Sequence, residues 1–338
     1  MVLTGISCST KTNDNPIPPI NKPGFTKASD IVWASPKGFN LTMDIYTPAT
    51  GKPSYPVIVI FHGGGWLINN KSIMSEMSEY MVNHSEYVVC NVNYRLLGNL
   101  GNNVMMNEIV EDAFGAVLWI KENIGTYQGD AAKIIVTGDS SGGHLATMVA
   151  TQHNTLEADG FGGTTLGFMP TYLPKGKTVE QVAQANELSV QAAIISYGVF
   201  DIYESALNGL EKAGNYFWSA ANAQPRGIFG NGINVNSHSA YYMMVSPFYH
   251  IPQATVKKLP PMLFTVGSKD NLTTPASIQK YTRSLKDAGH NNIEYWVHEG
   301  RPHAFLDSGT NTSLGISFQK DAPPALDKMI AFLNKIFY

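Results

Sequence analysis

The chain has 338 residues, of which 43% are hydrophobic and 14% charged, with a formal charge of −3. An average soluble domain carries about 25% charged residues, so this chain has no basic field to concentrate nucleic acid or an anionic membrane, and neither partner is expected. The apolar content excludes a disordered chain, and the length suits one large α/β domain or two of ordinary size. Two cysteines, Cys8 and Cys90, are too few and too far apart for a disulfide framework, a zinc ribbon or a redox pair.

At the N-terminus, Cys8 follows Met1-Val-Leu-Thr-Gly-Ile-Ser and precedes a polar, proline-rich stretch from Lys11 to Pro23. This resembles the end of a bacterial lipoprotein signal followed by a short tether, so export to the periplasm or a lipid anchor at the cell surface is expected, with a cytoplasmic protein as the alternative. Residues 1–25 read as that tether or signal remnant, and residues 26–338 as one domain. No run of about 18 uncharged apolar residues appears, so no membrane span is expected.

From Thr26 onward, apolar strands alternate with amphipathic helices, the pattern of a mostly parallel sheet covered on both faces. Eight strands are expected: Ile31–Ala34, Leu41–Tyr46, Val57–Phe61, Tyr87–Asn91, Lys133–Thr137, Val190–Ser196, Met262–Val266 and Ile293–Val297. Cys90 lies in an apolar run and reads as core. A helical stripe runs over Met106–Ile124, through Ile109, Ala113, Ala116, Val117 and Ile120. Another helix starts at Thr274 as N-cap with Pro275 at its first position, and ends before Gly289. The last, about Pro324–Phe337, is expected to close the sheet edge. Two segments break the alternation, 153–187 and 202–242, and loops this long are either lid- or cap-like covers or solvated insertions without a role.

The segment Lys133-Ile-Ile-Val-Thr-Gly138-Asp139-Ser140-Ser141-Gly142-Gly143-His144 runs from a strand through Gly-x-Ser-x-Gly into a helix, the context of a nucleophile elbow. A glycine-rich turn that merely opens a helix has the same outline. Upstream, Phe61-His62-Gly63-Gly64-Gly65-Trp66 follows a buried strand, and its bare backbone N–H groups can aim at an oxygen that turns negative during acyl transfer. The donors are expected from Gly64, Gly65 and Ser141, with Gly63 less favoured. A serine hydroxyl needs a positioned base and the base an orienting acid. Late strands end at Asp270 and at His303, 33 positions apart (303 − 270), which makes them the pair, with Asp201 the alternative acid. His62, His144 and His298 read as structural, and no metal set has ligand spacing.

The HGGGW and GDSSGG motifs, with the late Asp-Asn-Leu and Pro-His-Ala-Phe segments, resemble the hormone-sensitive-lipase-like branch of the α/β-hydrolases. Met43-Asp-Ile-Tyr-Thr-Pro48 and Asn93-Tyr-Arg-Leu96 are most similar to feruloyl and acetyl-xylan esterases of gut Bacteroidetes, and the likeness runs from about Leu41 to the C-terminus apart from the two insertions. It implies an α/β-hydrolase fold, no cofactor, and a Ser140–His303–Asp270 triad with Gly64, Gly65 and Ser141 around the oxyanion. Ser141 stands where the family usually has alanine, and Asn271 where it usually has proline. The expected activity is hydrolysis of a small-molecule or polysaccharide ester, with an amidase of the kynurenine-formamidase kind or a non-catalytic binding module as alternatives. Trp66, Phe217, Trp218 and Tyr242 are candidate walls for the substrate, or else pack the insertion's own core. The oligomeric state is left open.

Overall fold

In a computed structural model, which describes residues 24–152 and 155–338, the backbone is organised around an eight-stranded sheet. Its strands are β1 (Phe25–Ala34), β2 (Leu41–Pro48), β3 (Tyr55–Phe61), β4 (Val88–Val92), β5 (Gly129–Asp139), β6 (Ala192–Ser196), β7 (Met262–Gly267) and β8 (Ile293–His298). They lie in the order β1-β2-β4-β3-β5-β6-β7-β8. β1 and β2 run antiparallel at one edge and the remaining neighbours from β4 to β8 are parallel. Every residue of β3 is buried, as a parallel strand covered by helices on both faces requires. The Cys8 segment and the start of the 153–187 segment lie outside the described residues.

All eight expected strands are present. β1 starts six residues before the expected Ile31 because Phe25–Asp30 is a polar stretch of edge strand that pairs with β2 across a bulge, so no apolar alternation marks it. Cys90 sits in the centre of β4, fully buried, and burial pushes its thiol up.

The main helices are α1 (Ser75–His84), α2 (Met106–Asn123), α3 (Ser141–Gln152), α4 (Ile202–Leu207), α5 (Tyr216–Ala220), α6 (Ser239–Met244), α7 (Pro275–Asp287) and α8 (Pro323–Phe337). Thr274 caps α7 by accepting from the Ser277 amide, and Gly289 ends it with φ +90°. α2 and α3 pack together over β5, while α1 and α8 pack together on the sheet, α8 also reaching β7. α8 therefore covers a sheet face, not the edge as expected. Its apolar stripe Leu326, Met329, Ile330 and Leu333 is buried, while Lys328 and Lys335 reach Glu294 of β8 at 3.0 and 3.1 Å. No helix among the described residues is long and apolar enough to cross a membrane.

Candidate active site

The turn from β5 into α3 carries Ser140 with φ +51°, a conformation a residue with a Cβ adopts only when its surroundings impose it. The Ser140 amide donates to the Ser196 carbonyl of β6 at 2.9 Å. A Cβ on Gly142 would stand 2.0 Å from the Phe61 carbonyl oxygen, and one on Gly138 2.3 Å from the Gly142 oxygen. Only bare glycines let β3, the turn and α3 approach this closely.

His303 lies on the loop after β8 and Asp270 on the loop after β7. The His303 Nδ1 donates to Asp270 Oδ2 at 2.7 Å, and its Nε2 lies 3.0 Å from Ser140 Oγ. A carboxylate can only accept, so the proton sits on Nδ1 and Nε2 is free to take the serine proton. Asp270 is held by the amides of Leu272 and Thr273, both at 2.9 Å, and by the Thr273 hydroxyl at 3.1 Å. Tyr197 sets its ring edge-on to the imidazole, with centroids 4.7 Å apart. Asp201, the alternative acid, instead caps α4 by accepting from the Glu204 amide at 2.8 Å, and its other oxygen accepts from the Tyr249 hydroxyl at 3.0 Å.

Across from the serine, Gly64 and Gly65 take φ of +126° and +60°, in the region where glycine is free and other residues are strained. Gly63 does not face the serine chemistry, because its amide donates to Asp139 Oδ1 at 2.7 Å. Burial raises Asp139 to about 6, although the nearby His303 and the Gly63 amide oppose the shift. His62 donates from Nδ1 to the Gly63 carbonyl at 2.8 Å and stacks on Tyr94, and burial lowers it to about 4. Ser141 begins α3, whose N-terminus favours a developing negative charge.

A cavity of about 830 Å³ opens beside Ser140. Gly65, Trp66, Phe200, Phe217, Phe248 and Tyr281 supply apolar wall, and Asp201, Glu204, Lys212 and Lys280 stand among its polar lining. Phe217 lies against the Gly64–Gly65 loop, its ring carbons 2.8 Å from where a Gly65 Cβ would be. Trp218 and Tyr242 correct the expectation: both are fully buried inside the second insertion, off the cavity wall. Their polar ends are satisfied there, Trp218 Nε1 donating to the Leu210 carbonyl at 2.7 Å and Tyr242 to Glu211 Oε1 at 2.6 Å.

Thr273, Tyr197 and the bond from the Gly63 amide to Asp139 are not among the residues that the motifs mark. Thr273 had a signal in the spacing Asp-x-x-Thr, a side-chain-bonded turn; Tyr197, just past the end of β6, had none. His298 donates to the Asp321 carbonyl at 2.8 Å, a structural use as expected. Among the described residues no group of three His, Cys, Asp or Glu side chains is placed to hold a metal ion.

The BD-FAE family model matches residues 43–285. The chain belongs to that family. It is a hormone-sensitive-lipase-like family of α/β-hydrolases, and the matched span runs from β2 through α7. Esterase LipQ of Mycobacterium tuberculosis is 24% identical over 286 residues, 82% of this chain and 57% of that protein. Carboxylesterase NlhH of the same organism is 27% identical over 111 residues, 33% of this chain and 34% of that protein. The chain thus spans little more than half of LipQ and about a third of NlhH. Among solved structures, the apo form of Thermogutta terrifontis esterase 2 superposes with a TM-score of 0.62 at 24% identity, covering 94% of this chain and 96% of that one. The same esterase phosphonylated by sarin gives a TM-score of 0.64 at 22% identity, with the same coverage. The α/β-hydrolase fold is shared with this esterase.

Proposed function

We propose that the protein is a serine carboxylesterase. The observation that carries this reading is the hydrogen-bonded series Ser140–His303–Asp270 opening onto the cavity. Ser140 Oγ attacks the ester carbonyl while His303 Nε2 takes its proton, and Asp270 holds the imidazole in the needed tautomer and faces the imidazolium that forms. The N–H groups of Gly64, Gly65 and Ser141 receive the oxyanion. Collapse breaks the ester C–O bond, His303 protonates the departing alkoxide, and water repeats the sequence on the acyl-enzyme. No step calls for a cofactor.

The substrate class proposed is an acetyl or feruloyl ester of plant polysaccharide. An aromatic wall at Phe217, Phe200 and Phe248 suits an aryl acyl group, and the exposed Tyr216 beside it offers a stacking face for a sugar. Export, read from the Cys8 segment, belongs to the same proposal, and intact mass of protein purified from its native cells tests whether Cys8 is lipidated.

The test is a panel of p-nitrophenyl acetate, methyl ferulate, acetylated xylan and N-formylkynurenine, each with wild type and Ser140→Ala. Wild type is expected to turn over the esters, and Ser140→Ala to lose about 10⁴-fold or more of kcat. Unchanged turnover in Ser140→Ala overturns the mechanism, and a preference for the formamide overturns the ester reading in favour of an amidase.

A further inference from the structure

The last residue of the HGGGW motif is the one whose conformation needs most explanation. Trp66 takes φ +60°, a left-handed backbone that a bulky side chain holds only when neighbours fix it from several sides. Two contacts do so. Its carbonyl accepts from the Leu97 amide at 2.8 Å, and its indole Nε1 donates to His144 Nδ1 at 3.2 Å. Trp66 and His144 are both buried, with rings edge-on at 5.4 Å.

The partners of His144 dictate its chemistry. An indole N–H can only donate, so Nδ1 must be bare; the Val245 carbonyl, 2.7 Å from Nε2, can only accept, so Nε2 must carry the proton. Neutral imidazole in this one tautomer satisfies both, and burial supports it by lowering the group to about 4. Val245 follows α6, in the stretch between β6 and β7 that carries the second insertion. One ring therefore joins the helix after the nucleophile, the oxyanion loop and the insertion that walls the cavity.

From this we infer that His144 is a positioning residue for the proposed ester hydrolysis: by accepting from the Trp66 indole it holds Gly64 and Gly65 in the shape that receives the oxyanion. The inference rests on the carboxylesterase reading, but its physical part, the Trp66–His144 bond, is readable without turnover. A loop displaced by a fraction of an ångström loses transition-state contacts while ground-state binding in the cavity persists.

The experiment uses the full chain with three substitutions. His144→Gln sets an amide near the Nε2 position, keeping donation to Val245 and losing the acceptor for Trp66. His144→Asn sets an acceptor near the Nδ1 position. Trp66→Phe removes the same bond from the other side and identifies the Trp66 indole N–H resonance in a ¹⁵N spectrum. His144→Gln and Trp66→Phe are each expected to lower kcat for p-nitrophenyl acetate about 10- to 100-fold with KM within about threefold. Their double variant is expected to be no slower than the worse single, and His144→Asn to recover part of the rate. The indole resonance is expected to shift in His144→Gln. A resonance that does not move, additive losses, wild-type kcat in His144→Gln, or an Asn variant no faster than the Gln variant overturns the inference. If His144→Gln fails to fold by thermal melt, Trp66→Phe alone decides, since wild-type kcat there is incompatible with the clamp. Absence of any esterase activity in wild type would instead strike the carboxylesterase reading and leave the indole shift standing.

Discussion

Residues 155–187 follow α3 and residues 198–250 follow β6; both bury aromatic side chains, but the first also sits on a buried ion cluster. The first segment is held to α2 by Phe168, buried against Phe114, and by hydrogen bonds to an ion cluster. Arg95, buried, reaches Asp112 Oδ1 at 2.7 Å and Glu108 Oε1 at 2.8 Å, and Thr171 of the segment bonds both Arg95 and Asp112. Glu111 adds the Asn107 amide and the Met169 backbone. The second segment is built on rings, with Trp218, Phe229 and Tyr242 buried in its interior. Phe161 of the first stacks on Phe229 of the second at 5.6 Å. Only the second reaches the cavity wall. Buried ions bonded to one another fix a chain in place and stay turned away from the cavity, whereas an aromatic core can turn a spare ring, here Phe217, outward over the Gly64–Gly65 loop.

The largest loss of activity is expected at the acid. Asp270→Asn should lower kcat by about 10³- to 10⁴-fold, by presenting His303 in the wrong tautomer. Asp201→Asn, in the second segment, should change kcat by less than about threefold, since asparagine also caps α4. A greater loss in Asp201→Asn, measured on p-nitrophenyl acetate, would make the second segment a source of catalytic residues and not only of wall.

Next is the charged anchor. Arg95→Met leaves Asp112 buried without its cation, while Glu108 keeps Lys37 at 2.8 Å, and is expected to cost about 3–5 kcal/mol in chemical denaturation. The folded fraction should keep its kcat. A kcat loss with intact stability would show that the first segment governs the site after all.

The same anchor carries a pH signature. Burial, with the Asp112 charge close by, raises Glu111 from the usual 4.5 to about 7. The folded state therefore holds this proton more tightly than the unfolded chain, so the contribution is complete below pH 4.5 and is lost as pH rises through 7. Glu111→Gln should remove that dependence and raise the melting temperature at pH 8, by roughly 3 kcal/mol at most in free energy. Equal melting temperatures for the two proteins across pH 5–8 would refute the shift.

The smallest effect is expected at the wall. Phe217→Ala should change the ratio of kcat/KM for methyl ferulate over p-nitrophenyl acetate by about 10-fold, with little change in melting temperature because the ring is half-buried. An unchanged ratio would remove Phe217 from the substrate's path and weaken the contrast between the segments.

Much of the molecule was legible from composition and order alone. The strand cores declared themselves because each is an apolar run between turn residues, and Ser140, Asp270 and His303 because strand ends of an α/β sheet point their loops to one side. Gly138 and Gly142 could be singled out as well, since a sharp strand-to-helix turn has no room for a Cβ. Long-range contacts could not be read this way. Nothing local distinguishes Phe217, which faces the cavity, from Trp218 beside it, which is sealed in the core; successive residues of a short helix diverge by about 100°, and which one meets water depends on what packs behind. Nor does spacing reveal that His144, 78 positions from Trp66, accepts its indole proton. Local pattern and covalent geometry determined the strand cores, the elbow turn and which serine, histidine and aspartate stand at the strand ends. The eight-stranded sheet and the two segments folded over it decided the rest, namely which aromatics wall the cavity and which neutral imidazole meets the Trp66 indole, because each depends on distances between residues far apart in the chain.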